Sequence, residues 1–481
     1  MRRRGSDLSL TIADTRVPGW MVGLAVCATC FLGGLSLAWI PPDAVLGLAI
    51  IGVLALISVR WPYAGLIMYL CMEYLRPTER FPVLAPLHLT RVVAMFVLLG
   101  WLLRRRRDGF DLWVPAPENA AMLAFLSASA ASVLFAFWKL VAFDTTIDVA
   151  RMAIVLILIE NIINTPARMR GVMLTLVLLN VFVSAEQLIR YVTSSPGSEG
   201  LVRSGGQGSF LGEDGDFALA MCVAIPFVYY LAWSRIKPVW RIMSAIAAVM
   251  MVCSVMATGS RGGAVGMAAV LVTLVLRSKR RMPALAAIAL IVGAVWTLSP
   301  GAYRSRIATI SSAHERDLSV QSRMISWRAA REMFAEHPVV GIGAGNFMSA
   351  FIGRYGGSYS WARTAHNVFY QTAAELGVCG LVAFVGLLAC VAVRSTVLNA
   401  RLVRAGLGDT IIAAYAAALF PATVGFVVSG SFQTPLYYPH IYLLAALGVA
   451  LNNIAGSMLA ERETTRVGSQ IWKRPLARQS S

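Results

Sequence analysis

Charge is scarce in this chain, and acidic charge is scarcer still. Asp, Glu, Lys and Arg make up 14% of the 481 residues, with 24 carboxylates against 42 lysines and arginines. Beside a hydrophobic share of 58%, that scarcity excludes an ordinary soluble domain and describes a polytopic membrane protein. Paired cysteines are lacking too. The seven cysteines (Cys27, Cys30, Cys71, Cys222, Cys253, Cys379 and Cys390) all fall in apolar stretches, where the thiol packs as a small hydrophobe, so no disulfide framework is implied. Cys27 and Cys30 have redox or zinc spacing, but no second pair and no nearby histidine accompanies them. No repeat of fixed period and no cleavable leader is evident; the apolar stretch after Trp20 reads as a full span.

The formal net charge of +18 would suggest a nucleic-acid partner in a soluble protein. Here the basic residues sit in short loops between apolar runs, so they report orientation and no nucleic acid is expected. About fourteen candidate spans centre near residues 30, 51, 69, 96, 130, 155, 180, 225, 248, 269, 290, 380, 418 and 448. The third and fourth, Pro62 to Leu75 and Leu89 to Leu103, are short and read as tilted spans or a re-entrant pair, which gives twelve to fourteen. With the N-terminus cytoplasmic, the Arg2 to Arg16, Arg104 to Arg107 and Arg277 to Arg281 clusters and the C-terminal tail all fall inside, so both termini are expected there.

Two loops on the opposite side stand out. One, from about Thr193 to Asp216, is rich in Gly and Ser and contains Arg203. The other, from about Ser299 to Ala365, is too long for a simple connection. Within it Met324, Trp327 and Phe334 recur at helical spacing, with Arg323, Arg328, Arg331, Glu332 and Glu336 as polar company, until Pro338 stops the helix. An amphipathic helix on the membrane face accounts for Arg328 and Arg331. Arg323, one turn before Trp327, is placed towards a site.

Thr258-Gly259-Ser260-Arg261-Gly262-Gly263 lies where two spans meet, so a turn of almost no length is needed. Glycines allow it, and the next helix then starts with exposed N–H groups beside a guanidinium, a combination that attracts phosphate. The plain alternative is an Arg261 that snorkels to the surface. Arg203 alone is no more than a polar-loop arginine. His366, at the start of the helix that re-enters the membrane, is a titratable base in reach of a sugar hydroxyl, although a lone interfacial histidine is more often structural. Glu375 falls half a revolution from His366 on a regular helix and so does not orient it; Gln371 and Glu375 share a face. Gly341-Ile342-Gly343-Ala344-Gly345 lacks the strand, helix and acid of a dinucleotide fingerprint. Among the intramembrane ionisable residues Glu73, Asp148, Arg151, Glu160, Glu186 and Arg190, Asp148 and Arg151 are spaced to neutralise each other.

Four blocks together resemble the O-antigen ligase and polymerase superfamily: the Thr258 to Gly263 turn; Ser322-Arg323 with Trp327; Pro338 to Phe347; and His366-Asn367 with Glu375-Leu376-Gly377 and Gly380-Leu381. The likeness covers about Ala245 to Leu388. Upstream, Arg203 before Asp216-Phe217-Ala218 looks like the family's first arginine loop, with Asp214-Gly215-Asp216 where an Asn-bearing stretch is commoner. In the first 165 residues Glu73-Tyr74-Leu75-Arg76-Pro77 is the one cue.

The resemblance implies an all-α, GT-C-like fold in the bacterial inner membrane with a large periplasmic loop containing short helices. It divides the chain into N-terminal transmembrane helices (1–165), a ligase-like membrane core (166–457, with the large loop at 299–366) and a cytoplasmic basic tail (458–481). It further implies transfer of a glycan from undecaprenyl diphosphate to an acceptor hydroxyl, on a glycan or a lipid A core, at the periplasmic face. Arg203 and Arg261 would hold the diphosphate, Arg323 would add to donor binding, His366 would draw off the acceptor proton, and Asn367 and Glu375 would support them. No metal or other cofactor is expected, and attack on the far face predicts inversion. A polymerase, which differs in acceptor, lacks its loose arginine-x10-glycine spacing here. A protein O-oligosaccharyltransferase shares the same blocks, and a flippase would show two related halves, which are not seen. Sugar, acceptor and oligomeric state are not legible.

Overall fold

Proline opens six of the long helices. Pro42, Pro62, Pro117, Pro166, Pro238 and Pro439 each stand at the first helical position, where the missing N–H costs nothing and φ is already set. The computed structural model describes residues 42–108, 114–193, 211–278, 318–357 and 364–473, with a few isolated positions between 281 and 293. Its principal helices are α1 Pro42–Arg60, α2 Pro62–Leu75, α3 Leu89–Asp108, α4 Pro117–Phe135, α5 Lys139–Ile162, α6 Pro166–Thr193, α7 Asp214–Trp233, α8 Pro238–Ala257, α9 Arg261–Arg277, α10 Leu318–Glu336, α11 Val368–Arg404, α12 Ile411–Gly430 and α13 Pro439–Lys473. No strand occurs among the described residues.

Seven of these helices, α4, α6, α7, α8, α11, α12 and α13, are long and apolar enough to cross a membrane. The protein is an all-α polytopic membrane protein. Of the fourteen candidate spans, those near residues 30 and 290 lie outside the described residues, and the other twelve are helices. At 14 residues α2 rises only about 21 Å, less than a hydrocarbon core of about 30 Å. A short helix Pro77–Arg80 and a 3-10 turn Pro82–Leu87 join it to α3, which at 20 residues is longer than its apolar run because the arginines that follow Leu103 continue it. The last helix likewise runs on to Lys473, so the expected tail from 458 begins as a continuation of α13.

Small residues let the central helices close in. A Cβ on Gly425 of α12 would meet the Cys222 carbonyl of α7 at 2.8 Å and Val270 of α9 at 2.7 Å. Without a hydrophobic drive between helices in lipid, such close approach is how contact is gained. Aromatic contacts tie in the N-terminal part: Phe125 of α4 lies 6.1 Å from Phe384 of α11 and 6.1 Å from Tyr442 of α13, and Phe384 lies 6.4 Å from Phe426 of α12. One buried cluster runs from Leu66 to Ala455, so packing continues across the loop near residue 165.

Alternation of the helices sorts their ends. At one end lie the starts of α7, α9 and α11 and the turns α4–α5, α8–α9 and α12–α13. The other end collects Arg235, Lys237, Arg241, Arg277, Arg401 and Arg404.

Candidate functional site

The α8–α9 turn is as short as its sequence demands. Thr258 caps α8, Gly259 turns left-handed at φ 64°, and Ser260 caps α9, its hydroxyl accepting from Gly263 N–H at 3.1 Å. Arg261 is therefore the first residue of α9. The glycines behind it are needed for packing: a Cβ on Gly262 would meet Phe432 Cβ at 2.6 Å, and one on Gly263 would meet Ala218 Cβ of α7 at 2.3 Å. Phe432 belongs to the α12–α13 turn, 431–438.

Arg323 reaches the same residue from α10, its guanidinium 5.8 Å from the Phe432 ring centroid. One turn on, the Trp327 indole N–H donates to Ala365 O at 3.0 Å, and its ring stacks on Tyr370 of α11 at 5.5 Å. Asn367 caps α11 by accepting from the Phe369 and Tyr370 N–H groups at 2.9 and 3.1 Å, and its amide donates to Ser431 O at 3.0 Å. His366 sits between these two anchored neighbours in the left-handed conformation at φ 45°. That conformation is unfavourable for a residue with a side chain, so it persists because Ala365 and Asn367 are both held. The helix thus starts at Val368, one residue past the cap, and not at His366, where the sequence pattern alone places it.

Glu375 supports a different part. It is 1% exposed, and its carboxyl accepts from Gly345 N–H at 2.9 Å, Phe347 N–H at 3.2 Å and the Tyr437 hydroxyl at 2.6 Å, with the Gln371 amide at 3.4 Å. The glycine segment Gly341 to Gly345 is a winding cradle in which all three glycines have positive φ. A Cβ on Gly341 would meet the Glu375 carbonyl carbon at 2.3 Å, which rules out any other residue there. α11 breaks at Gly377 (φ 62°), and Val378 and Cys379 turn their N–H groups to Pro338 O and Val339 O instead. Asn346 and Ala344 bind this cradle to α4 and α5, through Trp138 N–H to Asn346 Oδ1 at 2.8 Å and Ala344 N–H to Ser132 Oγ at 3.0 Å.

Gly262, Arg323 and Asn367 therefore converge on Ser431 and Phe432, with Arg261 and His366 as chain neighbours of the first and last, at the end of the bundle opposite the basic cluster. Glu375 does not face His366; it holds the cradle beneath. Arg203 lies outside the described residues. Arg328 pairs with Glu332 at 2.9 Å on the exposed side of α10, and Arg331 is exposed, as an amphipathic helix requires. Asp148 and Arg151 pair with each other. The CxxC cysteines fall outside the described residues. Among the described residues no group of three or more His, Cys, Asp or Glu is gathered as for a metal ion.

Sequence reasoning missed the turn that organises all this. Tyr438 donates to Asp216 Oδ2 at 2.9 Å, and Tyr437 to Glu375. Burial first, and then the neighbouring carboxyl group, raise both phenols above their ordinary range, so each stays protonated as a donor. Arg76, in the one N-terminal cue, is left-handed at φ 47° and within electrostatic reach of Tyr438. The available signal was the polar, aromatic run Ser431-Phe432-Gln433-Thr434-Pro435 between two spans.

Residues 246–385 match the O-antigen ligase family, and residues 43–236 match a family of unknown function designated DUF5935. No curated protein matches the chain.

Proposed function

The chain carries an O-antigen ligase domain over residues 246–385 and so falls in that superfamily, and from this premise we propose that it transfers a glycan from undecaprenyl diphosphate to an acceptor hydroxyl at the periplasmic face of the bacterial inner membrane. The observation that carries the reading is the meeting of the α9 start, Arg323 and the His366-Asn367 pair on one turn. The basic cluster at the other end supports that end as cytoplasmic, which leaves the site outside.

In this reading Arg261 and Arg323, with Arg203 from its loop, bind the lipid-linked diphosphate. The acceptor oxygen attacks the anomeric carbon from the face opposite the diphosphate. The new carbon–oxygen bond forms as the bond to the diphosphate oxygen breaks, the hydroxyl proton passes to His366, and undecaprenyl diphosphate leaves. Negative charge grows on the leaving oxygen, so preformed guanidinium donors lower the barrier more than they bind the ground state. The N-termini of α9 and α11 add partial positive charge at the same end. The route is inverting and uses arginine where other enzymes use a divalent ion. Asn367 positions His366; Glu375 positions the cradle.

The test is glycan transfer by the purified protein in nanodiscs from a polyprenyl-diphosphate donor, with a lipid A core, a second lipid-linked glycan and a protein offered separately as acceptors. Wild type consumes donor with inversion, and the acceptor used separates ligase, polymerase and protein glycosylation. His366→Ala lowers the rate by about 10²-fold or more with the donor still bound. A retained anomeric configuration, or full activity in His366→Ala, sinks the reading.

A further inference from the structure

A cavity of about 770 Å³ opens at the other end of the bundle, among the α1–α2 turn, the end of α3, the start of α4 and the α5–α6 turn. None of the residues assigned to glycan transfer lines it. Among the described residues its walls carry three guanidinium groups, Arg104, Arg105 and Arg168, and one carboxyl group, Glu160.

Each arginine is held in place by its neighbours. Arg168 lies over the Tyr63 ring at 5.8 Å and donates to Ile162 O at 2.9 Å and Asn164 Oδ1 at 3.0 Å, while Tyr63 in turn donates to Arg168 O. Arg104 donates to the Arg60 carbonyl. Arg105 lies over Trp101 at 5.0 Å, and its Nη1 is buried with no hydrogen-bond partner among the described residues. A buried guanidinium nitrogen without an acceptor costs free energy that an incoming oxygen would recover. Glu160 is turned to a different partner: it is 2% exposed, with both oxygens within 3.0 Å of the Asn119 amide nitrogen. Trp61, 54% exposed, and Trp101 put aromatic rings beside the arginines, the composition of a membrane interface at headgroup depth.

We propose that this cavity binds the phosphodiester head group of an anionic phospholipid from the leaflet at the basic end of the bundle. The unsatisfied Arg105 guanidinium beside Arg168 favours an anion, the planar forks match phosphate oxygens, and the aromatic rim matches the depth at which a lipid carries its phosphate. The proposal stands independently of the transfer reaction, since a protein that moved no glycan would still retain the lipid.

The experiment is native mass spectrometry of the detergent-solubilised full chain with added phosphatidylglycerol, phosphatidylcholine or inorganic phosphate. Wild type is expected to retain phosphatidylglycerol in preference to phosphatidylcholine, with inorganic phosphate in excess failing to displace it. Arg105→Gln with Arg168→Gln should weaken retention at least tenfold, Arg105→Lys should fall between, and Arg235→Gln, whose side chain is 83% exposed at the same end, should match wild type. Arg105→Lys keeps the charge and so serves as the readout if the double variant fails to fold. Equal retention by wild type and all arginine variants overturns the proposal, as does equal retention of the two lipids. Complete displacement by inorganic phosphate overturns the lipid assignment in favour of a free-anion site.

Discussion

Replacing Glu375 by alanine takes the carboxyl acceptor from three donors at once, leaving Gly345 N–H only a 3.3 Å contact to the Tyr437 hydroxyl oxygen. Gly345 N–H, Phe347 N–H and the Tyr437 hydroxyl all point at its carboxyl group from within 3.2 Å, and the residue is 1% exposed, so water does not take its place. Each buried donor left unsatisfied costs about 1–3 kcal/mol, which puts the loss at about 3–9 kcal/mol before any cavity term. With an unfolding entropy of about 2.1 cal/mol/K per residue, a 481-residue chain changes by about 1 kcal/mol per degree, so the melting temperature should fall by about 3–9 °C. Differential scanning fluorimetry in detergent measures this. The sharper test is a double-mutant cycle: Tyr437→Phe removes one of the stranded donors, so Glu375→Ala with Tyr437→Phe should be less destabilised than the sum of the single changes by about 1–2 kcal/mol. A Glu375→Ala protein that melts within a degree of wild type, or a cycle that is strictly additive, would refute the account of Glu375 as the anchor of the glycine cradle.

Gly263→Val should prevent α9 from seating, because a Cβ there meets the Cβ of Ala218 at 2.3 Å and neither atom can swing away. Overpacking of this kind costs about 1–3 kcal/mol or more, read as loss of the monodisperse peak in fluorescence-detected size exclusion. Trp327→Phe keeps the stack on Tyr370 but loses the bond to Ala365 O, so it should cost only about 1 kcal/mol of stability while lowering transfer by more than that loss accounts for. Equal stability and equal transfer in Trp327→Phe would show that the Ala365 anchor does not position His366.

Parts of the candidate site rest on local patterns that the sequence displays. Arg261 stands at a turn that only glycine permits, and Arg323 lies one turn from a tryptophan; each is a local pattern spanning a few residues, whereas the Asn367 cap that moves the helix start past His366 is seen only in the structure. Glu375 was legible only in part. Its offset from His366 followed from helical geometry, but its true partners, Gly345, Phe347 and Tyr437, come from two other segments. The break at Gly377 was not foreseen either, since a left-handed residue inside an apolar run carries no local signal until its neighbours Val339 and Pro338 are seen to take the released N–H groups.

By itself the sequence determined the class of protein, its helical spans and the crowding of cations between alternate spans, because the length of an apolar run and the placement of charge act on each segment alone. Only the tertiary structure decided that Phe432 receives both Arg323 and the start of α9, that Tyr438 closes on Asp216 from 222 residues away, and that a second set of arginines lines a cavity at the far end. Those pairings depend on which helices pack side by side. Helix packing in a bilayer is set by small residues and complementary shape between segments, properties of pairs that no single stretch of chain contains.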